Sequence, residues 1–197
     1  MITTREKIKK LGKEPRLNLG SGIDYKDSWF NVDLSEENQL GTQIHSDCSH
    51  DLDEFPYPFE DNTFDEILLN QVLEHLENPP KVIKELIRIS TEGAVIIIRV
   101  PHFSDLGAYE EPTHKHFFAL NSIDYMRYDC DVKKEFEHPH NKILKVISRI
   151  FTIHSFFYER FLKGVYSVKG IRWTLKVRKP LPESLGDSLN VSNGELK

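Results

Sequence analysis

Two glycines that flank a serine, Gly20-Ser21-Gly22, are the first residues in the chain whose types and spacing suggest chemistry. Glycine has no Cβ, so the chain can turn tightly there and bring its backbone close to a ligand. Backbone N–H groups in such a turn can hold an anionic or zwitterionic group. The same residues also form ordinary turns, so the loop predicts a binding site only together with other groups.

A carboxylate follows the glycine loop at the end of an apolar stretch, residues 29–34, which we interpret as a strand. Asp33 at that position could accept hydrogen bonds from both hydroxyls of a ribose. The alternative interpretation is a helix N-cap or a surface aspartate. The binding role requires Asp33 to lie beside the glycine loop.

The segment 47–59 combines carboxylates with aromatic and proline residues. Asp47, or the backbone at Asp51 and Leu52, could hold an adenine ring edge-on. The prolines exclude a helix or a central strand here, because they lack a donor and restrict the residues before them. The alternative is a plain proline-rich loop.

Polar residues also follow the next predicted strand, beginning at Asn70. Asn70 would face the same ligand, since the carboxyl ends of parallel strands meet at one edge of a sheet. Glu74 and His75 could be catalytic, but we interpret them as residues that cap and anchor a short helix.

Histidines are concentrated in the segment after Pro101. His102 follows a strand and His114 lies in a predicted lid, and either could serve as a general base near neutral pH. The alternative is that these histidines only make loop hydrogen bonds. A metal site built from His102, His114 and His116 with Glu110 or Glu111 is a further alternative. Because this spacing matches no metal signature that we know, we predict no metal.

Composition excludes several classes of protein. The net charge of -5 over 197 residues argues against general nucleic-acid binding. Two cysteines form no disulfide framework, and a reducing cytosol is the simpler context. The N-terminus lacks the apolar run of a signal peptide, and the run Ala94 to Ile98 is too short to span a bilayer. We therefore expect a cytoplasmic protein.

Strands that alternate with helices must position these residues. The alternation predicts an α/β fold with a mostly parallel sheet and helices on both faces. We expect a single domain over residues 1–180 and a disordered tail over 181–197. The predicted strands cover 16–19, 29–34, 44–47, 64–69, 94–100, 142–153 and 170–178, and the predicted helices cover 3–12, a segment that begins at Pro79, and 121–128.

Four segments in this order resemble the motifs of one enzyme family. Residues 17–22 and 29–34 resemble motif I and the acidic strand end that follows it in class I S-adenosylmethionine-dependent methyltransferases. Residues 55–67 closely resemble their P-F-x-D-x-x-F-D segment, and residues 72–76 are similar to their V-L-E-H segment. The small type 11 domain is the subgroup that the chain resembles most, which implies a Rossmann-like fold.

The resemblance implies S-adenosylmethionine as the cofactor and a role for each residue. The glycine loop would bracket the methionine moiety, the acidic strand end would hold the ribose, and the proline-rich segment would contact the adenine. The residue after the fourth strand would line the methionine end. The implied cofactor-binding residues are Leu19, Gly20, Ser21, Gly22, Asp33, Asp51, Leu52 and Asn70, with Asp47 as an alternative adenine contact.

The chain departs from the family between its first two strands. Only residues 23–28 separate Gly22 from the second strand, whereas a parallel crossover normally takes a dozen residues or more. The helix at this place is therefore reduced to a turn, or the helix at 3–12 partly fills its place, and backbone N–H groups remain as the main anion contacts. A nicotinamide enzyme fits less well, because Tyr25 replaces the third glycine and Asp33 follows too closely.

Two functions are compatible with these features. The first is a methyltransferase acting on a small-molecule, sugar or lipid-linked acceptor, and the second is a non-catalytic module that binds the cofactor. The aromatic segment 155–167 could be a partner surface, for example in a homodimer. Other aromatic residues could wall an apolar or sugar-binding cleft or fill the core: Tyr109, Phe117, Phe118, Tyr125 and Tyr128.

Overall fold

The structure is a computed structural model of the chain, and it describes residues 2–34, 43–126, 130–137, 159 and 168–179. Within these residues, seven strands form one sheet. The strands are β1 (Arg16–Leu19), β2 (Phe30–Asp33), β3 (Cys48–Ser49), β4 (Phe64–Asn70), β5 (Ser90–Pro101), β6 (Cys130–Glu137) and β7 (Gly170–Val177). The α-helices are α1 (Thr4–Lys10), α2 (Pro79–Ile89) and α3 (Gly107–Glu110), and short 3-10 helices cover Leu73–His75 and Ser122–Tyr125.

The strands lie in the order β3-β2-β1-β4-β5-β7-β6. Strands β1 to β5 pair in parallel, whereas β7 runs antiparallel to both β5 and β6. The mostly parallel Rossmann-like α/β fold expected from the sequence is thereby confirmed. Because β1 to β5 are parallel, the residues that follow them gather at one edge of the sheet, which we call the carboxyl edge.

The core forms where the central strands meet helix α2. Leu69 and Ile98 are fully buried on adjacent strands, and α2 contributes Ile83 and Leu86 from its apolar stripe. The helix begins after Asn78, whose side chain accepts a hydrogen bond from the Lys81 N–H at 3.1 Å. An asparagine cap followed by proline is a standard helix start, so the sequence specified this element locally.

The crossover between β1 and β2 consists of turns, with no helix among residues 20–29. Two buried asparagines in adjacent strands support it instead. Asn18 Nδ2 donates to the Asp24 carbonyl at 2.8 Å and to Asn31 Oδ1 at 3.0 Å. Asn31 Nδ2 donates to the carbonyls of Lys26 and Trp29, both at 2.9 Å. The predicted reduction of the crossover helix to a turn is confirmed. Side-chain amides form the hydrogen bonds to backbone carbonyls that backbone N–H groups would form in a helix.

Helix α1 lies at the opposite edge of the sheet, where the parallel strands begin, which we call the amino edge. Arg5 Nε donates to the Thr63 carbonyl at 3.0 Å, directly before β4. Lys7 Nζ donates to the Asp47 carbonyl at 3.4 Å, directly before β3. Helix α1 therefore does not fill the place of the crossover helix, which was one of the two alternatives predicted from the sequence.

Two predicted elements differ from the structure, and one observed strand was not predicted. The third strand is Cys48–Ser49 rather than 44–47, and the helix expected at 121–128 is the short 3-10 helix at Ser122–Tyr125. Strand β6 was not predicted, because its charged sequence lacks a continuous apolar face. The predicted strand 142–153, the tail 181–197 and, apart from Glu159, the segment 155–167 lie outside the described residues.

In the part of the chain that the structure describes, no helix combines the length and the apolar character needed to cross a bilayer.

Candidate functional site

The residues predicted to bind the cofactor gather at the carboxyl edge. Leu19 at the end of β1 pairs with Val32 of β2 on one side and with Leu69 of β4 on the other. This register brings the glycine loop next to both Asp33 and Asn70. The spatial proximity that the binding hypothesis requires is therefore present for these residues.

The glycine loop is folded back onto strand β2. Gly20 and Gly22 have φ angles of 66° and 49°, in the left-handed region that favours glycine. The Gly20 and Ser21 N–H groups donate to the Val32 carbonyl at 2.8 and 3.0 Å, and the Gly22 N–H donates to Asp33 Oδ2 at 2.8 Å. These three N–H groups are thus used within the protein, and the expectation that they serve as the main anion contacts is wrong.

Two other properties of this loop point toward a ligand. A Cβ added to Gly20 would lie 2.5 Å from Val72 Cγ2, so only glycine lets the loop approach the segment after β4 this closely. Ser21 is 3% exposed, and its hydroxyl has no hydrogen-bond partner among the described residues. A buried hydroxyl without a partner is destabilising by about 1–3 kcal/mol, so a polar ligand group that meets it would stabilise the loop.

The predicted adenine contacts divide between the two edges. Asp51 and Leu52 follow β3 at the carboxyl edge. There Asp51 Oδ1 accepts a hydrogen bond from the Asp53 N–H at 2.9 Å, and the buried Leu52 offers its carbonyl to the Tyr57 hydroxyl at 2.9 Å. Asp47 precedes β3 and lies at the amino edge, where it binds Lys13, so it is not part of this site.

Helix α2 fixes the proline-rich loop through one arginine and one glutamate. The Arg88 guanidinium donates to the carbonyls of Tyr57 and Phe59 at 3.0 and 2.9 Å. Glu85 Oε2 accepts from the Tyr57 N–H at 2.9 Å and also pairs with Arg88 at 2.8 Å. Neither residue was predicted from the sequence. Their i, i+3 spacing at the end of an amphipathic helix was the available signal, but it is shared with ordinary surface pairs.

Residues after β4 and after β5 meet in a second group at this edge. Glu74 is fully buried, and burial raises the pKa of its carboxyl group to about 8. The rings of His75 and His114 lie 4.7 Å apart, and burial lowers the pKa of His75. The Glu74 carboxylate has no hydrogen-bond partner among the described residues. The interpretation that this side chain caps a short helix is therefore wrong.

The two predicted base candidates are in different surroundings. His102 is fully buried at the end of β5, with Nδ1 2.7 Å from Ser104 Oγ and Nε2 3.4 Å from Glu159 Oε1. His114 is nearly buried against His75, and its Nδ1 is 2.8 Å from the Ala108 carbonyl. The three histidines of the predicted metal alternative do not form one group; the observed group instead contains His75.

Comparison with known proteins agrees with this architecture. A model of the methyltransferase domain family matches residues 21–98. An uncharacterized protein of Methanocaldococcus jannaschii is 46% identical over 63 residues, which is 31% of each chain. Ajmaline N-methyltransferase of Rauvolfia serpentina is 35% identical over 78 residues, 40% of this chain and 26% of that enzyme. The matched segments thus span about a third and a quarter of these two relatives.

A solved structure extends the likeness to most of the chain. The S-adenosylmethionine-dependent methyltransferase of Archaeoglobus fulgidus is similar with a TM-score of 0.55 and 17% identity, over 87% of this chain and 92% of that one. At 17% identity this likeness shows a shared fold, the fold of an S-adenosylmethionine-dependent methyltransferase. Residues 21–98 match the type 11 methyltransferase domain that the motifs predict.

Proposed function

We propose that the protein binds S-adenosylmethionine at the carboxyl edge and transfers its methyl group to a small-molecule, sugar or lipid-linked acceptor. The observation that carries the proposal is the contact of Gly20 with Val72 beside the unpartnered Ser21 hydroxyl. This contact joins the loop after β1 to the segment after β4, the two places where ligands bind in sheets of this order.

The residues present fit the cofactor. Its positively charged sulfonium group supplies an activated methyl group. In the proposed arrangement Leu19 and the loop Gly20-Ser21-Gly22 hold the methionine moiety, and Asn70 lines its methyl end. Asp33 orients the ribose and also accepts the hydrogen bond from the Gly22 N–H. Asp51 and Leu52 border the adenine. The loop geometry and the Ser21 hydroxyl support the first of these roles, and the position of Asp33 supports the second.

The segment after β5 offers an aromatic surface for the acceptor. Tyr109 and Phe117 are about half exposed, and their rings stack with centroids 4.6 Å apart. Phe118, by contrast, is buried edge-on against Trp173 and belongs to the core. An exposed aromatic stack next to a cofactor site favours an acceptor with an apolar or sugar face.

Positioning and exclusion of water carry the methyl transfer in this proposal, since the methyl donor is already activated. Both ring nitrogens of His102 contact other side chains, and His114 lies in the cluster with His75. The general-base roles of His102 and His114 stay predictions, and they require the segment 102–118 to move when the acceptor binds. Turnover that is unchanged in His102→Ala would eliminate that residue as the base.

Titration calorimetry with S-adenosylmethionine and S-adenosylhomocysteine tests cofactor binding. We expect saturable binding of both at a stoichiometry of one, and absence of binding by either would refute the proposal. A panel of amines, phenols, sugars and lipid-linked sugars with a radiolabelled methyl donor then tests transfer. Cofactor binding without transfer to any member of the panel would favour the non-catalytic module instead.

A further inference from the structure

The segment after β5 folds back onto the segment after β4 and brings three metal-ligating side chains together. One potential ligand atom from each of Glu74, His75 and His114 lies within 4.8 Å of the others. The backbone holds this arrangement, because the N–H groups of Lys115 and His116 donate to the Glu74 carbonyl at 2.9 and 3.1 Å. The cluster is therefore part of the packing between two loops rather than a chance meeting of surface side chains.

The Glu74 carboxyl group is fully buried, and neither oxygen has a hydrogen-bond partner within the described part of the chain. The nearby N–H groups bind its carbonyl oxygen instead. A buried carboxylate without a partner is strongly unfavourable unless it is protonated or meets a cation. The described residues place no lysine or arginine against it, so a bound ion is the partner that its position suits.

Hydrogen bonds around the two histidines fix which nitrogen is available. The Thr113 hydroxyl donates to Glu111 Oε1 at 2.9 Å, so at 3.0 Å its oxygen accepts the proton of His75 Nδ1. His114 Nδ1 likewise donates to the Ala108 carbonyl at 2.8 Å. In the neutral rings both Nε2 atoms are then lone-pair donors, held by the kind of outer hydrogen bond that orients metal-binding histidines.

A fourth group faces the same two nitrogen atoms. Glu111 Oε1 lies 4.0 Å from His75 Nε2, and Glu111 Oε2 lies 3.5 Å from His114 Nε2. Two imidazole lone pairs and two carboxylates form a donor set with no positive charge of its own. Glu111 and His75 are partly exposed, so an ion can reach the cluster from solvent.

We propose that Glu74, His75 and His114 form a binding site for Zn²⁺, with Glu111 placed to supply the fourth ligand. Imidazole nitrogens with carboxylate oxygens are typical Zn²⁺ ligands, and Mg²⁺ and Ca²⁺ favour all-oxygen sites. Ligands on tetrahedral zinc lie closer together than the cluster's 4.8 Å limit, so the side chains rotate inward when the ion binds. The bound ion would lock the segment 111–116 onto the end of β4, beside the proposed cofactor site.

Zinc titration of the tag-free, chelator-treated full chain, in competition with a chromophoric chelator, tests the proposal. We expect one Zn²⁺ per chain with a Kd in the micromolar range or below, and no binding of Mg²⁺ at the same concentrations. Glu74→Gln and His114→Ala should each weaken zinc binding by about tenfold or more. His50→Ala is the matched control and should bind zinc like the unaltered protein, because it removes a histidine outside the cluster whose ring contacts the Glu54 carbonyl and Tyr57.

Spectra of the Co²⁺-loaded unaltered protein keep the test independent of the folding of the variants. We expect intense visible bands typical of four-coordinate cobalt with nitrogen and oxygen ligands. Absence of zinc binding by the unaltered protein, or octahedral Co²⁺ spectra, would overturn the proposal. The sequence has a second closely spaced histidine pair, His138 and His140 on either side of Pro139. Zinc binding that survives the cluster variants but is lost in the double variant His138→Ala, His140→Ala would also overturn the proposal. The titrations contain no S-adenosylmethionine, so their outcome is separate from that of the proposed function.

Discussion

The two edges of the parallel sheet treat their buried polar groups in opposite ways. At the amino edge, Lys13 Nζ lies 2.5 Å from Asp47 Oδ2, and the same oxygen accepts the Asn31 N–H at 2.7 Å. At the carboxyl edge, the Ser21 hydroxyl and the Glu74 carboxylate have no partner within the described residues. The protein itself pairs this buried ion pair at the amino edge, whereas these two buried groups at the carboxyl edge are available to a ligand.

This difference indicates where stability and binding are located. A satisfied buried network stabilises the fold, and removing one member leaves the others unpaired. An unsatisfied group destabilises the free protein and favours a ligand that pairs with it. Removal of a paired polar side chain at the amino edge should therefore change mainly the free energy of unfolding, and removal of a polar side chain at the carboxyl edge should change mainly ligand affinity.

The largest effect is expected for Asp47→Ala at the amino edge. The substitution leaves the nearly buried Lys13 ammonium without its carboxylate, and breaking a buried pair in this way costs about 3–5 kcal/mol. Urea unfolding followed by circular dichroism measures this loss. Asp65→Ala removes an exposed carboxylate paired with Arg5 at the same edge and should lose under about 1 kcal/mol. Equal losses in the two variants would contradict the comparison.

Gly20→Ala tests the close contact at the carboxyl edge. Alanine at a positive φ costs about 1–2 kcal/mol, and its Cβ would also collide with Val72, which adds about 1–3 kcal/mol. Gly22→Ala has the same kind of backbone angle with open space around the new Cβ, so it should show only the smaller backbone loss. Thermal unfolding compares the two. If both variants lose the same stability, Val72 moves aside and the contact does not require glycine.

Asp33→Ala should weaken binding of S-adenosylmethionine by about tenfold to a hundredfold, as expected for loss of charge-assisted hydrogen bonds. Asp33→Asn retains an oxygen that can accept the hydrogen bond from the Gly22 N–H. This variant therefore distinguishes the effect of the loop hydrogen bond from the effect of the ribose contact. Calorimetry gives both affinities. Asp24→Ala, an exposed carboxylate paired with Lys26, serves as the control and should bind normally. Normal binding by Asp33→Ala would restrict Asp33 to a structural role.

The smallest effect is the acid sensitivity of the amino edge. Burial alone would raise the pKa of Asp47, but hydrogen bonds from Asn31 and Lys13 and the charge of Lys13 outweigh burial and lower it. A lowered carboxyl pKa gives stability above the unfolded pKa of about 3.9, and this is lost as pH falls through the folded value. The unfolding free energies of the unaltered protein and Asp47→Asn should therefore converge as the pH falls from 6 to 3. A constant difference would show that Asp47 titrates normally.

Local sequence patterns predicted the elements that form by themselves. Strand β5 is a continuous β-branched run, and α2 begins at an asparagine followed by two prolines. Strand β6 has a charged sequence and is recognisable only through its pairing with β7, which begins 40 residues after β6 does. An edge strand with polar residues does not differ from a loop until its partner is known.

Some features of the candidate site were likewise predictable from the sequence, and others were not. The glycine loop and Asp33 were predictable because their spacing resembles family motifs, and the structure places them together. The use of the loop N–H groups within the protein and the burial of Glu74 were not predictable. Glu74 is buried by a segment about 40 residues further along the chain, so neither its residue type nor its neighbours in sequence could reveal it.

Strand β7 pairs on one side with β5 and on the other with β6, so it lies inside the sheet although it is the last strand described. Its Trp173 is fully buried and donates its indole N–H to the Leu120 carbonyl at 2.8 Å. During synthesis β6 leaves the ribosome well before β7, its neighbour among the described strands, exists. The parallel half can assemble on the emerging chain, but the antiparallel half must wait until about residue 177 is free, and a chain stalled before β7 would expose two unpaired strand edges.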